Sequence, residues 1–278
     1  MPVAKIKNLI LLILALSTAC LLALVIPLKL SAVRAEEALH AQIEELFASY
    51  GIALDRSILP RSASLYGIEL GGQEADSAAA AAALLGSDAA PDEDSTHYAS
   101  TYTSLRGSCT LRADGGFSAA LTGGESSADL TASAEKLLKR MGFETEALSA
   151  PERRNAGVYT LHASQRILGV PLLSDGLTLT YTNGALTRCE GIFFTGVSAL
   201  TRTSENACIS CADALSALLS RREALGWVGG SVRSVRQCYR PSGSASAALR
   251  LTPVWLIETD TGSFCVNGLT REVSVWNG

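Results

Sequence analysis

The sequence is poor in the side chains and motifs on which many enzyme families depend. It has three histidines, His40, His97 and His162, which lie far apart in the chain. It contains no HExxH metal motif, no GxSxG nucleophile motif and no phosphate-binding P-loop. A fold can bring distant residues together, but the enzyme classes that rely on these motifs are excluded. The sequence therefore predicts a protein that is not an enzyme, without a catalytic residue, a metal site or a cofactor.

The sequence also lacks a basic stripe of the kind that binds nucleic acid. Residues 35–150 carry 7 Lys and Arg against 18 Asp and Glu, and residues 151–278 carry 12 against 9. The arginines of the second half are interpreted as a solvated helix face and a strand edge. The charge pattern therefore predicts no nucleic-acid partner.

Long apolar runs are absent except for one, at residues 9–28. A helix of this length is about 30 Å long, the thickness of a bilayer's hydrocarbon core. A cleaved signal peptide, with Val33-Arg34-Ala35 as its exit site, is the alternative, but its apolar core would be shorter. We expect a single transmembrane helix at 9–28 after a cytoplasmic stub at 1–8. Lys5 and Lys7 favour a cytoplasmic N-terminus, which places the body outside the cytoplasm.

One face of the predicted span carries small residues. Ala15, Ala19 and Ala23 recur at intervals of four, so they lie on the same side of a helix. Small residues at this spacing let a second transmembrane helix approach closely. The alternative is a plain anchor whose alanines have no role, because Ala is abundant throughout the chain. We expect this face to be a helix-packing surface.

The chain has seven cysteines, and six of them follow the apolar run. An exported location permits disulfides, but the sequence does not choose among the pairings. Cys208 and Cys211 form a CxxC at the start of a predicted helix, where a lowered thiol pKa would support thiol–disulfide exchange. No thioredoxin-like strand–helix–strand context precedes them, and Ser210 fits the pattern as a helix cap. The pair is a candidate disulfide, a candidate redox pair, or two buried thiols.

Helical and alternating patterns follow one another along the body. Helical spacing predicts a juxtamembrane helix at 29–51 and further helices near residues 74–85, 128–141 and after Ser210. Period-two alternation predicts the strands between them, with tight turns at Asp114-Gly115 and Asn183-Gly184. A helix packed over an antiparallel meander is an α+β arrangement. We expect two such units in tandem, at 52–199 and 200–278.

Three segments resemble known families. A PepSY-type unit, with a capped helix, a strand and a closing hairpin, is similar to the C-terminal stretches ISCADALSALLSRREALGW, SVRSVRQCYRP and PVWLIETDTGSFCVNGLTREV. The strand-rich centre of the YycI/YycH family resembles VYTLHASQRILGVPLLSDGLTLTYTNGALTRCEG. The YycI branch of that family resembles the start of the chain, with Lys5-Ile6-Lys7-Asn8 before one span. The family comprises membrane-anchored regulators of a cell-wall two-component sensor kinase in low-GC Gram-positive bacteria.

The resemblance implies a regulator whose fold is two tandem PepSY-like units behind one anchor. Its anchor and exported domains would bind a sensor histidine kinase, with a paralogous regulator as a further partner and a homo- or heterodimer as the assembly. Two alternatives stay open. One is an exported thiol–disulfide protein that uses Cys208 and Cys211, and the other is a PepSY-like inhibitor of an extracytoplasmic protease.

Overall fold

The computed structural model describes residues 3–61, 63–71, 73–92, 98–122, 124, 126–197, 199–242 and 249–277. The side chains at 3–10, 24, 28–30, 32 and 73–75 lie outside this description. The described residues form four α-helices, which are α1 (Val3–Ser49), α2 (Gln73–Leu85), α3 (Leu130–Arg140) and α4 (Cys211–Ser220).

The strands that the structure describes lie in two antiparallel sheets. The ten-stranded sheet contains β2 (Ala90–Pro91), β3 (Ala99–Ser104), β4 (Gly107–Arg112), β5 (Gly116–Leu121), β6 (Thr145–Leu148), β7 (Glu152–Asn155), β8 (Val158–Ile167), β9 (Val170–Pro171), β10 (Leu177–Thr182) and β11 (Ala185–Ile192). The six-stranded sheet contains β1 (Ile68–Gly71), β12 (Ala199–Arg202), β13 (Val232–Ser242), β14 (Arg250–Thr259), β15 (Ser263–Asn267) and β16 (Val273–Trp276). Helices and antiparallel sheets together confirm the predicted α+β class.

The chain order of the sheets is nested, not tandem. β1 falls inside the predicted first unit, 52–199, yet it pairs with β14 through Ile68 and Leu251 and with β12 through Ile68 and Arg202. The ten-stranded sheet is therefore built by the chain between β1 and β12. Sequence patterns missed this arrangement because the partners of β1 are far away in the chain and leave no local signal.

The ten-stranded sheet is covered by α2 and α3. Buried side chains of both helices, including Leu85 and Leu138, join strand residues such as Leu161 and Leu179 in one core. Asp129 caps α3, because its Oδ1 accepts a hydrogen bond from the Ala132 N–H at 3.0 Å. The predicted helix over 128–141 is thus confirmed, two residues shorter at the start and one residue shorter at the end.

The predicted hairpin at Asn183-Gly184 is confirmed. The turn joins β10 to β11, and its two residues have φ of 51° and 83°. Positive φ at both central positions is the geometry that an Asn-Gly pair adopts most readily in a two-residue hairpin. The turn lies beside the N-terminal end of α3, where the Ser127 N–H donates to the Gly184 carbonyl at 2.9 Å.

The six-stranded sheet is covered by α4 and by the C-terminal end of α1. Phe47 of α1 is fully buried, and its ring lies 6.4 Å from that of Trp227, which in turn lies 5.7 Å from Phe264. Arg222 lies over the Trp227 ring and donates a hydrogen bond to the Tyr50 carbonyl at 3.4 Å. Aromatic packing and this arginine therefore fix the end of α1 to the body.

The predicted span at 9–28 lies within α1, which continues through Pro27. The predicted juxtamembrane helix at 29–51 is the rest of α1, which ends two residues earlier, at Ser49. The exposed large side chains of α1 include Leu11 and Ile26. The transmembrane prediction is not supported, since no helix in the described part of the chain is both long enough and apolar enough to cross a bilayer.

Alternation over residues 263–273 predicts one strand, but the structure has two there, β15 and β16. β15 ends at Asn267, whose side-chain Oδ1 accepts hydrogen bonds from the N–H groups of Leu269 at 2.9 Å and Thr270 at 3.1 Å. Arg271 then adopts a φ of 63°. An Asn side chain that caps the following backbone makes a turn, so the chain reverses and β16 pairs back onto β15.

Candidate functional site

The predicted helix-packing residues lie on the N-terminal half of α1. Ala15, Ala19 and Ala23 are all exposed, and their spacing puts them on one side of the helix. The hydroxyl groups of Ser17 and Thr18 both donate to the Leu14 carbonyl. This segment therefore satisfies its own side-chain hydroxyls, as a helix in an apolar environment must. The packing role of the alanines stays a prediction.

The CxxC cysteines lie at the start of α4. Cys211 is the first residue of the helix and is 0% exposed. Burial, helped by the charge of Glu36, raises the pKa of the Cys211 thiol to about 12. Burial also raises the pKa of Cys208, although Gln237 and Trp255 oppose the rise. The raised pKa values keep both groups in the thiol form and disfavour the reactive thiolate.

Helix capping accounts for the sequence around these cysteines. The Ser210 hydroxyl accepts a hydrogen bond from the Asp213 N–H at 3.1 Å and donates to the Asp213 carboxylate at 2.7 Å. All seven cysteines are among the described residues, and all are thiols without a disulfide. Thiol–disulfide exchange uses cysteines whose pKa is lowered, often by an open helix N-terminus. Here Ser210 caps that terminus, and burial raises the pKa of both thiols.

The two histidines that the structure describes lie on separate elements. His40 is buried on α1, whereas His162 lies on β8 and its Nδ1 is 3.0 Å from the Thr178 hydroxyl. His97 lies outside the described residues. Within the described ranges, no three His, Cys, Asp or Glu side chains are grouped so that they could hold a metal ion.

The carboxylates of Glu258 and Asp260 have separate structural partners. Glu258 accepts hydrogen bonds from the Ser234 hydroxyl at 2.6 Å and from Arg236 at 2.8 Å, and the first of these is the main cause of its lowered pKa. Asp260 accepts from the Gly230 N–H at 2.9 Å, which lowers its pKa. Each group ties β14 or its turn to the chain around β13, and neither is a candidate general acid.

The sequence patterns missed a groove beside α3, here called the α3 groove. It has a volume of about 590 Å³ and lies between α3 and the end of the ten-stranded sheet that includes the β10–β11 hairpin. One side of α3 supplies Ser133, Lys136 and Arg140, and the sheet supplies Tyr181. Arg106 comes from the β3–β4 turn.

The α3 groove concentrates positive charge in an acidic part of the chain. Three of the seven Lys and Arg residues in 35–150 line it, namely Arg106, Lys136 and Arg140. None of them is ion-paired with a described carboxylate. Asp129 is the carboxylate among the described lining residues, and it is engaged as the α3 cap. The lining is therefore electropositive.

The α3 groove also contains a buried hydroxyl group. Tyr181 is 1% exposed, and its hydroxyl oxygen makes no hydrogen bond of standard geometry with the described residues. Burial raises the pKa of Tyr181, and an interaction with the Ser133 hydroxyl opposes that rise. In the sequence, Tyr181 fits the inward alternation of β10 and is indistinguishable from a core residue. No local signal links it to α3.

Comparisons with known proteins identify no family and no function for this chain. No protein-family model matches the chain, and no curated protein matches it. An uncharacterised protein from Eubacterium rectale is 11% identical, with a TM-score of 0.49, over 79% of this chain and 89% of its own. The YpeB C-terminal domain of Bacillus megaterium is 12% identical, with a TM-score of 0.35, over 76% of this chain and 100% of its own. Scores below 0.5 establish neither a common fold nor a function.

Proposed function

We propose that the chain is a membrane-anchored, non-catalytic regulator whose exported body binds a two-component sensor histidine kinase. The observation that carries the proposal is the continuity of α1. One helix runs from residue 3 to residue 49, so the apolar segment at 9–28 and the buried Phe47 belong to the same rigid element. A body attached in this way is held at a fixed distance and orientation from whatever surrounds the apolar segment.

The length of α1 beyond the apolar segment sets that distance. Residues 29–49 are helical and span about 30 Å at 1.5 Å per residue. A stiff connector of this length transmits a rotation or a tilt between a bilayer and the body, whereas a flexible linker would absorb it. Regulation follows if the protein binds one signalling state of the kinase more tightly than the other.

Two surfaces would make the contact with the kinase. In the bilayer, the face formed by Ala15, Ala19 and Ala23 suits close packing against a partner helix. Outside, the two helix-on-sheet layers, interpreted as PepSY-like units, would dock on the kinase's exported domain. The YycI/YycH resemblance supports this arrangement and its location, and a paralogous regulator is the further partner that it implies.

Photo-crosslinking from the proposed contact face tests the function. A photoreactive residue at Ala19 in the full chain is expected to capture a histidine kinase from membranes. The same residue at Leu21, which is about 200° away around the helix, is the matched control and is expected to capture much less. Equal capture at both positions, or no kinase at either, would contradict the proposal. Capture of a protease instead would favour the inhibitor alternative.

A further inference from the structure

We propose that the α3 groove binds a small organic anion, which joins a phosphate or carboxylate group to an apolar portion. The inference goes beyond the proposed regulatory function and depends neither on the membrane anchor nor on the kinase. It stands on three features of the groove: its converging cations, its buried hydroxyl group and its apolar walls.

The cations line the groove from two separate elements, α3 and the β3–β4 turn. Lys136 and Arg140 are one turn apart on α3, so they lie on the same side of the helix. Arg106 lies in the β3–β4 turn, where its N–H donates to the Ser104 hydroxyl at 3.0 Å and its carbonyl accepts from the Thr122 N–H at 2.7 Å. Like charges that lie close together repel one another. An anion bound between them would remove this repulsion and accept charge-assisted hydrogen bonds from the lysine and arginine side chains.

Solvated lysine and arginine side chains are ordinary at the end of a helix, where they also balance the helix dipole. The Tyr181 hydroxyl distinguishes the α3 groove from a helix end that merely carries solvated cations. A buried hydroxyl group without a good partner costs free energy, and native structures rarely keep one without a reason. Because Tyr181 and Ser133 line the same cavity as the cations, a ligand could supply the missing partner.

The remaining surface of the groove fits the apolar portion of such a ligand. Leucines from α2, α3 and two strands line it, namely Leu84, Leu121, Leu137 and Leu186. Its volume of about 590 Å³ lies within the range of small-molecule sites. Leu121 and Leu186 are only partly buried, and a bare inorganic anion would leave them in contact with water. The lining therefore favours an anion with an organic part.

The rim of the groove is preformed. The Ser126 hydroxyl donates to the Asn183 carbonyl at 2.9 Å, and the Ser127 N–H donates to the Gly184 carbonyl at 2.9 Å. These bonds hold the segment before α3 against the β10–β11 hairpin. Little ordering is then required when a ligand binds, which favours measurable affinity for small molecules.

Four probes separate the parts of the proposal, each titrated into the purified full chain and followed by NMR and calorimetry. Phenyl phosphate and benzoate combine an anion with an apolar ring, whereas inorganic phosphate and phenol each supply one half. At least one of the first two is expected to saturate and to bind about tenfold or more tightly than either half. The ratio of the affinities for phenyl phosphate and benzoate then shows whether the groove prefers a phosphate or a carboxylate group. Equal, non-saturating shifts with all four would overturn the proposal.

Charge variants on a single helix locate the site. The double change Lys136→Gln with Arg140→Gln is expected to weaken binding of the preferred probe about tenfold or more. Lys139→Gln is the matched control, because Lys139 lies beside Arg140 on α3 but is exposed and outside the groove. Its affinity is expected to stay unchanged. A similar loss in Lys139→Gln would show attraction to overall charge and would overturn the assignment.

The variant Tyr181→Phe separates a ligand role from a structural one. It is expected to weaken probe binding while leaving the denaturation midpoint unchanged or raised, because the hydroxyl lacks a good partner in the protein. A lowered midpoint with unchanged affinity would show that the hydroxyl serves the fold alone, and the proposal would fail at this residue.

Discussion

At the scale of single residues, two glutamines make the same contact in different surroundings. The Gln165 amide donates to the Phe194 carbonyl at 2.9 Å and accepts from the Phe194 N–H at 3.0 Å. Gln237 makes the equivalent pair of bonds with Ala63, each at 3.0 Å. Gln165 is 1% exposed, whereas the second contact is open to solvent. Each glutamine amide supplies hydrogen bonds to a backbone N–H and carbonyl that are not paired in a strand. Water can replace the bonds of Gln237, but it cannot reach those of Gln165.

Replacement of these glutamines by methionine is therefore expected to have unequal effects. Gln165→Met leaves two buried backbone groups without partners and should lower the free energy of unfolding by about 2–4 kcal/mol. Gln237→Met should lower it by less than about 1 kcal/mol, since solvent reaches Ala63. Chemical denaturation of both variants measures the difference. Equal losses would show that the burial of the first contact has no energetic consequence.

The buried thiols predict a loss of stability in alkali. Burial raises the pKa of Cys109, Cys189 and Cys211 from 9.0 to about 12. Above pH 9 the unfolded chain loses these protons while the folded chain keeps them, so stability is complete below pH 9 and falls as the pH rises towards 12. Each thiol should contribute a slope of about 1.4 kcal/mol per pH unit in that window.

The variant Cys211→Ala tests this slope. Its stability should decline less steeply between pH 9 and 10 than that of the parent chain, by about 1 kcal/mol over that interval, because an unfolded thiol with a pKa of 9.0 is only half ionised at pH 9. Urea denaturation at a series of pH values gives both slopes. Identical slopes would mean that this thiol is accessible to base, and the redox alternative would regain its physical basis.

At the scale of elements, the sequence predicts what is encoded locally. The hairpin at Asn183-Gly184 and the Ser210 cap each depend on residues within four positions, and both are present. The pairing of β1 and the turn after Asn267 were missed. The first depends on partners far along the chain, and the second on a side-chain cap inside a continuous alternating pattern.

Two glycines with similar backbone angles test how far the β10–β11 hairpin depends on close packing. Gly142 and Gly184 have φ of 79° and 83°, but a Cβ at Gly142 would meet no atom, whereas one at Gly184 would lie 2.9 Å from the Ser127 carbonyl. Gly142→Ala should cost about 1 kcal/mol from backbone strain alone. Gly184→Ala should cost clearly more in the same denaturation experiment. Equal costs would show that the segment before α3 can move away freely.

The junction between α1 and the body makes a third comparison. Phe47→Ala removes a fully buried ring and should lower the free energy of unfolding by about 3–5 kcal/mol. Leu39→Ala, at a position on the same helix that is 45% exposed, should cost less than about 1 kcal/mol. Trp227 reports on the junction by fluorescence, since its ring is 6.4 Å from that of Phe47. Small, equal effects would mean that α1 is not fixed to the core.

At the scale of the whole molecule, the two sheets share a core. Ile68, Tyr239 and Leu251 of the six-stranded sheet pack with Ile167 and Phe194 from the ten-stranded sheet and the segment after β11. The Leu173 N–H also donates to the Tyr239 carbonyl at 2.8 Å, which covers part of the outer edge of β13. The nested chain order explains this contact, because the chain crosses between the sheets after β1 and returns before β12.

The candidate sites differ in how far the sequence could reveal them. The Ala15, Ala19 and Ala23 face follows from helical periodicity alone. The α3 groove joins residues from 84 to 186 that come together only after the sheet and both covering helices have formed. Its cations look like solvated surface residues in the sequence, and Tyr181 looks like core. Long-range packing decides such a site, so no local pattern could have predicted it.

Labelling of one surface position in living cells tests the central claim, that α1 holds the body outside the cytoplasm at a membrane. Ser87 is exposed and lies on the α2 side of the body, and the variant Ser87→Cys can be compared with the parent chain, whose cysteines after α1 are mostly buried. We expect a membrane-impermeant maleimide to label the variant in intact cells, and the labelled chain to stay with membranes after alkaline extraction. Labelling only after lysis, or recovery of the full-length chain in the soluble fraction, would contradict the claim.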